Sequence, residues 1–413
     1  MKDPLQETSE DVGHQGATGV AIITLGALAF LAVRYPWTMA IVVGLVLMIM
    51  LHEAGHFVAA RWAGMKSTEF FLGFGPRIWS FKRGETEFGV KALPAGGYVR
   101  IIGMSNLEEV EPADEPRTYR EGTFGRRMVV VLAGVTVNIL LASMLFFVVY
   151  AGRGVPDGIS TSLREVVPGT PAARAGLEPD DRLVAIDGQA IDDWDDVPVA
   201  LEDRAGQPTT FVIERDGQRR TLEITPRERS TTDSSGFVGI SPDDDYRAVG
   251  PLGAARESIA TIGRGTAATV GGLVDLFSPS GLSRFSENFT DSTPSGGGSG
   301  GGGRGAATTE RPRGIIGIVD IGGEIANGDV WILLELLAVL NLVVALFNLI
   351  PLPPFDGGHA AVACYEQVAS KLQRRRVRVD YRKLMPVTAL VLVVFLTLGL
   401  SVMYLDIRDA FSG

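Results

Sequence analysis

Apolar and polar positions along this chain separate into long blocks. The runs 17–33, 37–51, 128–150 and 384–404 contain no charged residue, and a fifth, 331–352, contains only Glu335. The longer runs approach the ~20 residues a helix needs to cross hydrocarbon. The run 37–51 is short, and its helix is expected to continue through His56 to Trp62. Other stretches carry a different period. Around 67–103, Phe70, Leu72 and Phe74 alternate with other residues, and Arg83-Gly84-Glu85 reads as a turn, which predicts a β-hairpin. Residues 157–229 mix short alternating segments with turn signals. One of these, Asp216-Gly217 between two strand-like runs, favours positive φ. Residues 252–277 have scattered apolar positions that suit an amphipathic helix, and 292–308 is a Gly/Ser/Thr-rich loop.

The predicted order is a polar tail (1–16), an extra apolar span (17–33), a span (37–62), a membrane-associated β region and loop (63–127) and a span (128–150). A small α+β domain (157–229), an amphipathic and Gly-rich segment (230–328), a span (329–356), a basic segment (357–383) and a last span (384–404) follow.

Composition agrees with a membrane protein that has a sizeable soluble part, since the chain is 46% hydrophobic yet 21% charged. A net charge of -10 argues against a nucleic-acid partner. The single cysteine, Cys364, excludes an intramolecular disulfide. Basic residues cluster near membrane ends in 61–127 and 371–383, which places both segments in the cytoplasm by the positive-inside rule. The 157–229 domain and the C-terminus then lie outside. If 17–33 spans, there are five spans and a cytoplasmic N-terminus.

Two clusters of polar residues interrupt the apolar runs. His52-Glu53-Ala54-Gly55-His56 puts two imidazoles one helical turn apart on one face, a spacing that holds zinc. Glu53 stands beside them, placed to take a proton from a water activated by the metal. Ionisable groups are expensive at membrane depth, and metal ligation gives a reason for them. Near residue 350 the chain reads Asn348-Leu349-Ile350-Pro351-Leu352-Pro353-Pro354-Phe355-Asp356-Gly357-Gly358. Zinc held by two histidines lacks a third protein ligand, and Asp356 is the candidate. The prolines interrupt a helix and free its carbonyls, while the glycines admit close backbone approach. Asn138 sits inside an apolar run and is expected to face the helix bundle, and His359 is expected to sit at headgroup level rather than act as a fourth ligand.

Together the two motifs resemble the site-2 protease family of intramembrane zinc metalloproteases. That family carries HExxH on one span and N-x-x-P-x-P-x-x-D-G on another. Here His52, Glu53 and His56 match the first, and Asn348, Pro351, Pro353, Asp356 and Gly357 match the second. Gly73-Phe74-Gly75-Pro76 and Pro94-Ala95-Gly96-Gly97-Tyr98 look like the bacterial branch, and Gly169 to Gly188 resembles bacterial PDZ domains. The single PDZ-like segment is most similar to actinobacterial members. The extra run 17–33, Gly134-Val135 in place of Gly-Pro, and the Gly-rich insert depart from the pattern.

The resemblance implies a polytopic α-helical membrane protein with a membrane-associated β-hairpin region and an inserted α+β PDZ-like domain. It implies zinc on His52, His56 and Asp356, with Glu53 as the catalytic base. Asn348, Pro351 and Pro353 would contact substrate, with Asn348 positioning its backbone or stabilising the oxyanion. The implied substrate is a single-span membrane protein, an anti-sigma factor already cut once outside the cell and hydrolysed within the lipid bilayer of the cell membrane. Clearing of signal-peptide remnants is the alternative. A non-proteolytic PDZ scaffold or chaperone with structural zinc is the reading from a different class, and the intact Glu53 disfavours it.

Overall fold

The computed structural model describes residues 19–20, 22–105, 107–228, 235–276, 278–280, 283 and 329–412. The polar tail 1–16 and the Gly-rich loop 292–308 lie outside the described residues. The chain divides into a unit formed by residues up to Val149 with Leu252–Ser292 and Pro312–Ser412, and a second centred on Tyr150–Pro251.

The first unit starts with an apolar helix, α1 (Ile22–Arg34), then α2 (Pro36–Trp62). Pro36 suits the first turn of α2, where its missing N–H has no partner to lose. Strands β1 (Ser67–Arg83) and β2 (Thr86–Ile101) follow, joined by a tight turn at Arg83 and Thr86. Each strand is bent into two legs. The first leg of β1 pairs with both ends of β2: Phe70 lies opposite Val99 on one side and Phe88 on the other. Gly73 and Gly75 sit at the bend with φ of 86° and 82°, a region open to glycine. A Cβ at Gly73 would lie 2.5 Å from Leu93 O, so the bend also requires the missing side chain. Helix α3 (Phe124–Gly152) follows.

The second unit is an antiparallel sheet with two short helices. In order these are β3 (Val155–Val166), α4 (Pro171–Arg174), β4 (Arg182–Ile186), β5 (Gln189–Ala190), α5 (Asp196–Leu201), β6 (Thr209–Arg215) and β7 (Gln218–Ile224). A small pair, β8 (Arg227–Glu228) and β9 (Gly236–Phe237), precedes β10 (Ile240–Arg247). The sheet runs β10-β3-β4-β6-β7 with β5 on β4, so it extends past residue 229 to β10. Its core is Leu163, Leu183, Ile186, Phe211, Ile213 and Ile224 against Ala172 of α4 and Val197 and Leu201 of α5. The β6–β7 turn holds Asp216 and Gly217 at φ of 53° and 73°. The fully buried Asp181 is compensated by Arg215, whose Nε and Nη2 lie 2.5 and 2.6 Å from its two oxygens.

The remaining helices return to the first unit: α6 (Pro251–Leu276), α7 (Val330–Asn348), α8 (Asp356–Gln373) and α9 (Met385–Ser412). Among the described residues, four helical segments are long and apolar enough to cross a membrane: Pro36–Trp62, Phe124–Gly152, Val330–Asn348 and Tyr381–Ser401. Helix α1 has 13 described residues, or about 20 Å at 1.5 Å per residue, short of the ~30 Å hydrocarbon core. Polarity in this unit points inward. Leu47, Val58, Leu140 and Met144 are exposed, whereas His52, His56, Asn138 and Asn341 are buried. Ala59, Ala60, Met65, Ile101, Tyr119, Val130 and Val131 pack the end of α2 and the last leg of β2 against α3. Asn341 Nδ2 donates to Asn138 O at 3.0 Å and joins α7 to α3.

Candidate metal centre

α2 continues unbroken through the HExxH residues, so His52 and His56 fall on one face with ring centroids 4.8 Å apart. Each is 7% exposed. Asp356 reaches them as the first residue of α8. Helix α7 ends at Asn348, and the proline-rich stretch reverses through turns closed by Leu352 N–H to Ile350 O and Phe355 N–H to Leu352 O. Gly357 and Gly358 make the reversal possible. A Cβ on Gly357 would overlap Leu349 O and Ile350 O, and one on Gly358 would lie 2.5 Å from Pro353 N.

Three atoms converge as a result. His52 Nε2 lies 3.2 Å from His56 Nε2, and each lies 3.2 Å from Asp356 Oδ2. Ligand atoms about 2.0–2.1 Å from a tetrahedral zinc stand about 3.3–3.4 Å apart, so the triangle has the size that zinc requires. The protonation pattern agrees. His56 Nδ1 lies 2.8 Å from Val130 O, which only accepts, so Nδ1 carries a hydrogen, and the neutral tautomer of the ring turns a bare Nε2 to the centre. Two imidazole Nε2 atoms and a carboxylate oxygen facing one another at this spacing suit a bound cation. His52, His56 and Asp356 are the described His, Cys, Asp and Glu residues that converge in this way.

α3 forms the wall behind the triangle. A Cβ on Gly134 would overlap His56 Nε2 and lie 2.6 Å from His52 Cε1. A Cβ on Gly55 would lie 2.9 Å from Ala133 O. These two glycines bring α2 and α3 together at the depth of the metal centre, as small residues do between membrane helices. In the sequence Gly134 stands out only as the neighbour of Val135, the residue that departs from the family's Gly-Pro, because its role is an approach to a helix about eighty residues earlier. Val130 was likewise missed, since a carbonyl acceptor has no side-chain signature.

Glu53 lies beside the triangle, and its Oε2 accepts the Val99 N–H at 3.0 Å. The last leg of β2 is therefore held against α2 at the proposed base. Tyr98 stacks on Phe71 and Phe74, donates to Glu69, and accepts from Lys91 at 2.9 Å. Burial, and then the Glu69 carboxylate, push the Tyr98 hydroxyl up, so it stays protonated as a donor.

Asn348 is half-buried at the end of α7, Pro351 is exposed, and Pro353 lies against Gly358 within the reversal. These three belong to the segment that carries Asp356. His359 sits 3.4 Å from the Tyr381 hydroxyl and is outside the triangle. One further pair was not foreseen: Arg127 of α3 and Glu366 of α8 meet at 2.6 Å with side chains 11% and 10% exposed. Glu366 also accepts Val379 N–H at 2.7 Å, so this pair ties α8 to α3.

Comparison with known proteins gives the same direction. Peptidase family M50 matches residues 40–394. The zinc metalloprotease Rip1 of Mycolicibacterium smegmatis is 31% identical over 384 residues, covering 84% of this chain and 91% of that protein. The zinc metalloprotease Rip1 of Mycobacterium tuberculosis is 32% identical over 373 residues, covering 84% and 90%. Among solved structures, the PDZ domain of the SdrC-like protein from Listeria monocytogenes is 19% identical with a TM-score of 0.18, covering 21% of this chain and 90% of that one. With the family match spanning most of the chain and a His-His-Asp triangle of zinc dimensions inside it, the chain belongs to peptidase family M50, the site-2 proteases, and is a zinc metalloendopeptidase.

Proposed function

We propose that this enzyme hydrolyses a peptide bond within the transmembrane segment of a single-span membrane protein whose outer domain has already been removed, with an anti-sigma factor as the leading substrate. The observation that carries the reading is the triangle itself, its two histidines buried on a helix long and apolar enough to cross a bilayer.

His52, His56 and Asp356 would hold zinc, and when bound it supplies Lewis-acid activation of a water. Glu53 takes the proton of that water and passes it to the leaving amine. Asn348, the last residue of α7, would donate to the substrate carbonyl oxygen as charge develops there. Pro351 and Pro353 would line the substrate path beside it. A helical peptide bond is shielded by its own hydrogen bonds, so the substrate must be extended before attack. The edge leg of β2, bonded to Glu53 itself, suits an extended segment added as a strand.

The positive-inside distribution supports a zinc site toward the cytoplasmic face and an extracytoplasmic PDZ-like domain. That domain would then act as a size filter, excluding substrates with intact ectodomains. The test is cleavage by purified enzyme in lipid discs of two substrates with one shared span, trimmed and untrimmed. The trimmed form should be cut within the span, and mass spectrometry should locate the cut. Cleavage of neither form would refute the proposal.

A further inference from the structure

The last leg of β2, residues 97–101, pairs with β1 on one side, and among the described residues no strand pairs with its other side. That other side faces α2. A Cβ on Gly97 would lie 2.8 Å from Met50 Sδ, so the backbone there is pressed against the helix. Val99 stands opposite Phe70 in the register, yet its N–H leaves the ladder and is donated to Glu53 Oε2. An extended peptide joining a sheet edge must bond the amides that point outward from it. Val99 N–H is such an amide, and here its acceptor is the carboxylate that has to take the proton.

From this contact we infer that Val99 N–H and Glu53 form a latch in which each blocks the other, opened by the substrate backbone. The inference rests on the reading that substrate adds to the β2 edge. When an extended segment supplies a carbonyl to Val99 N–H, Glu53 loses its amide partner and its oxygen is released toward the attacking water. Binding of the peptide and release of Glu53 Oε2 are thus one event. A segment that stays helical has its carbonyls occupied by its own ladder and cannot exchange with Glu53. Selection for unwound segments is then built into one hydrogen bond rather than into side-chain pockets.

The test is a binding cycle in inactive, zinc-loaded enzyme. Glu53→Gln keeps an oxygen that can accept from Val99, whereas Glu53→Ala removes it. Val99→Pro removes the donor, at an edge position where the outward N–H makes proline tolerable. The probe is a fluorescent apolar peptide of about 20 residues with a central Gly-Pro break, its affinity measured by anisotropy in lipid discs. Glu53→Ala should bind it roughly five- to tenfold more tightly than Glu53→Gln, the worth of one freed hydrogen bond. Adding Val99→Pro to both should abolish the difference and weaken binding in the Glu53→Ala background.

Equal affinity of Glu53→Ala and Glu53→Gln, with Val99→Pro still weakening binding, would overturn the latch and leave strand addition standing. No effect of Val99→Pro in the Glu53→Ala background would overturn strand addition at Val99 and the latch with it. Hydrogen exchange supplies a check without proline: residues 97–101 should exchange faster in Glu53→Ala than in Glu53→Gln, and equal protection would refute the latch.

Discussion

His56 Nε2 and Asp356 Oδ2 lie 3.2 Å apart across 300 residues of sequence. Because His56 Nδ1 donates to Val130 O, the neutral imidazole presents a bare Nε2 to the Asp356 carboxylate. The contact is stable when a cation joins them. Removing the metal with a chelator should therefore lower the thermal unfolding midpoint in lipid discs, and adding zinc back should restore it. Asp356→Ala should bind zinc weakly, lose cleavage, and show no chelator effect on the midpoint. Calorimetry with metal analysis checks both.

Gly134 offers a test of the wall behind the site. Gly134→Ala places a methyl group 2.4 Å from His56 Nε2, so it should lower zinc occupancy and cleavage together. Gly125→Ala, on the same helix with nothing within 4 Å of the new Cβ, should keep both and gain up to about 1 kcal/mol of stability from helix propensity. Zinc stoichiometry of the two variants decides the matter.

The Arg127–Glu366 pair should matter through burial. Removing one partner strands the other charge, so Glu366→Ala or Arg127→Ala should destabilise the enzyme by about 3–5 kcal/mol. Replacing both with leucine should recover much of that loss. Midpoints of the two single variants and the double variant, measured in one detergent, give the coupling.

The sheet domain separates filtering from recruitment. Its deletion should run from 155 to 247, since β10 pairs with β3 and a cut at 229 would leave an orphan edge. A filter predicts that the deletion permits cutting of untrimmed substrate while trimmed substrate is cut as before. Loss of trimmed-substrate cleavage, with zinc retained, would indicate recruitment instead.

What could be read from sequence here depended on range. The spans announce themselves by missing charge, and His52, Glu53 and His56 by helical spacing within one of them. Asp356 was legible because zinc chemistry demands a third ligand and the Pro-Gly reversal shows where a helix must break. Gly134 and Val130 act on α2 through packing and a backbone carbonyl, and no local pattern encodes either. The β1–β2 hairpin was visible in its alternation, but its folding into legs depends on Gly73 and Gly75, whose positive φ has no periodic signal. The Val99–Glu53 bond was hidden for the same reason, since a backbone amide carries no identity. The Arg127–Glu366 pair joins two runs 239 residues apart and becomes readable only once α3 and α8 are packed.

The account stands most directly on Glu53. Purified Glu53→Gln should retain zinc at the wild-type ratio and unfold at the wild-type temperature. Its cleavage of a trimmed single-span substrate should fall by about 10²-fold or more, the usual worth of a general base. Cleavage by Glu53→Gln at the wild-type rate, with zinc bound, would contradict the mechanism.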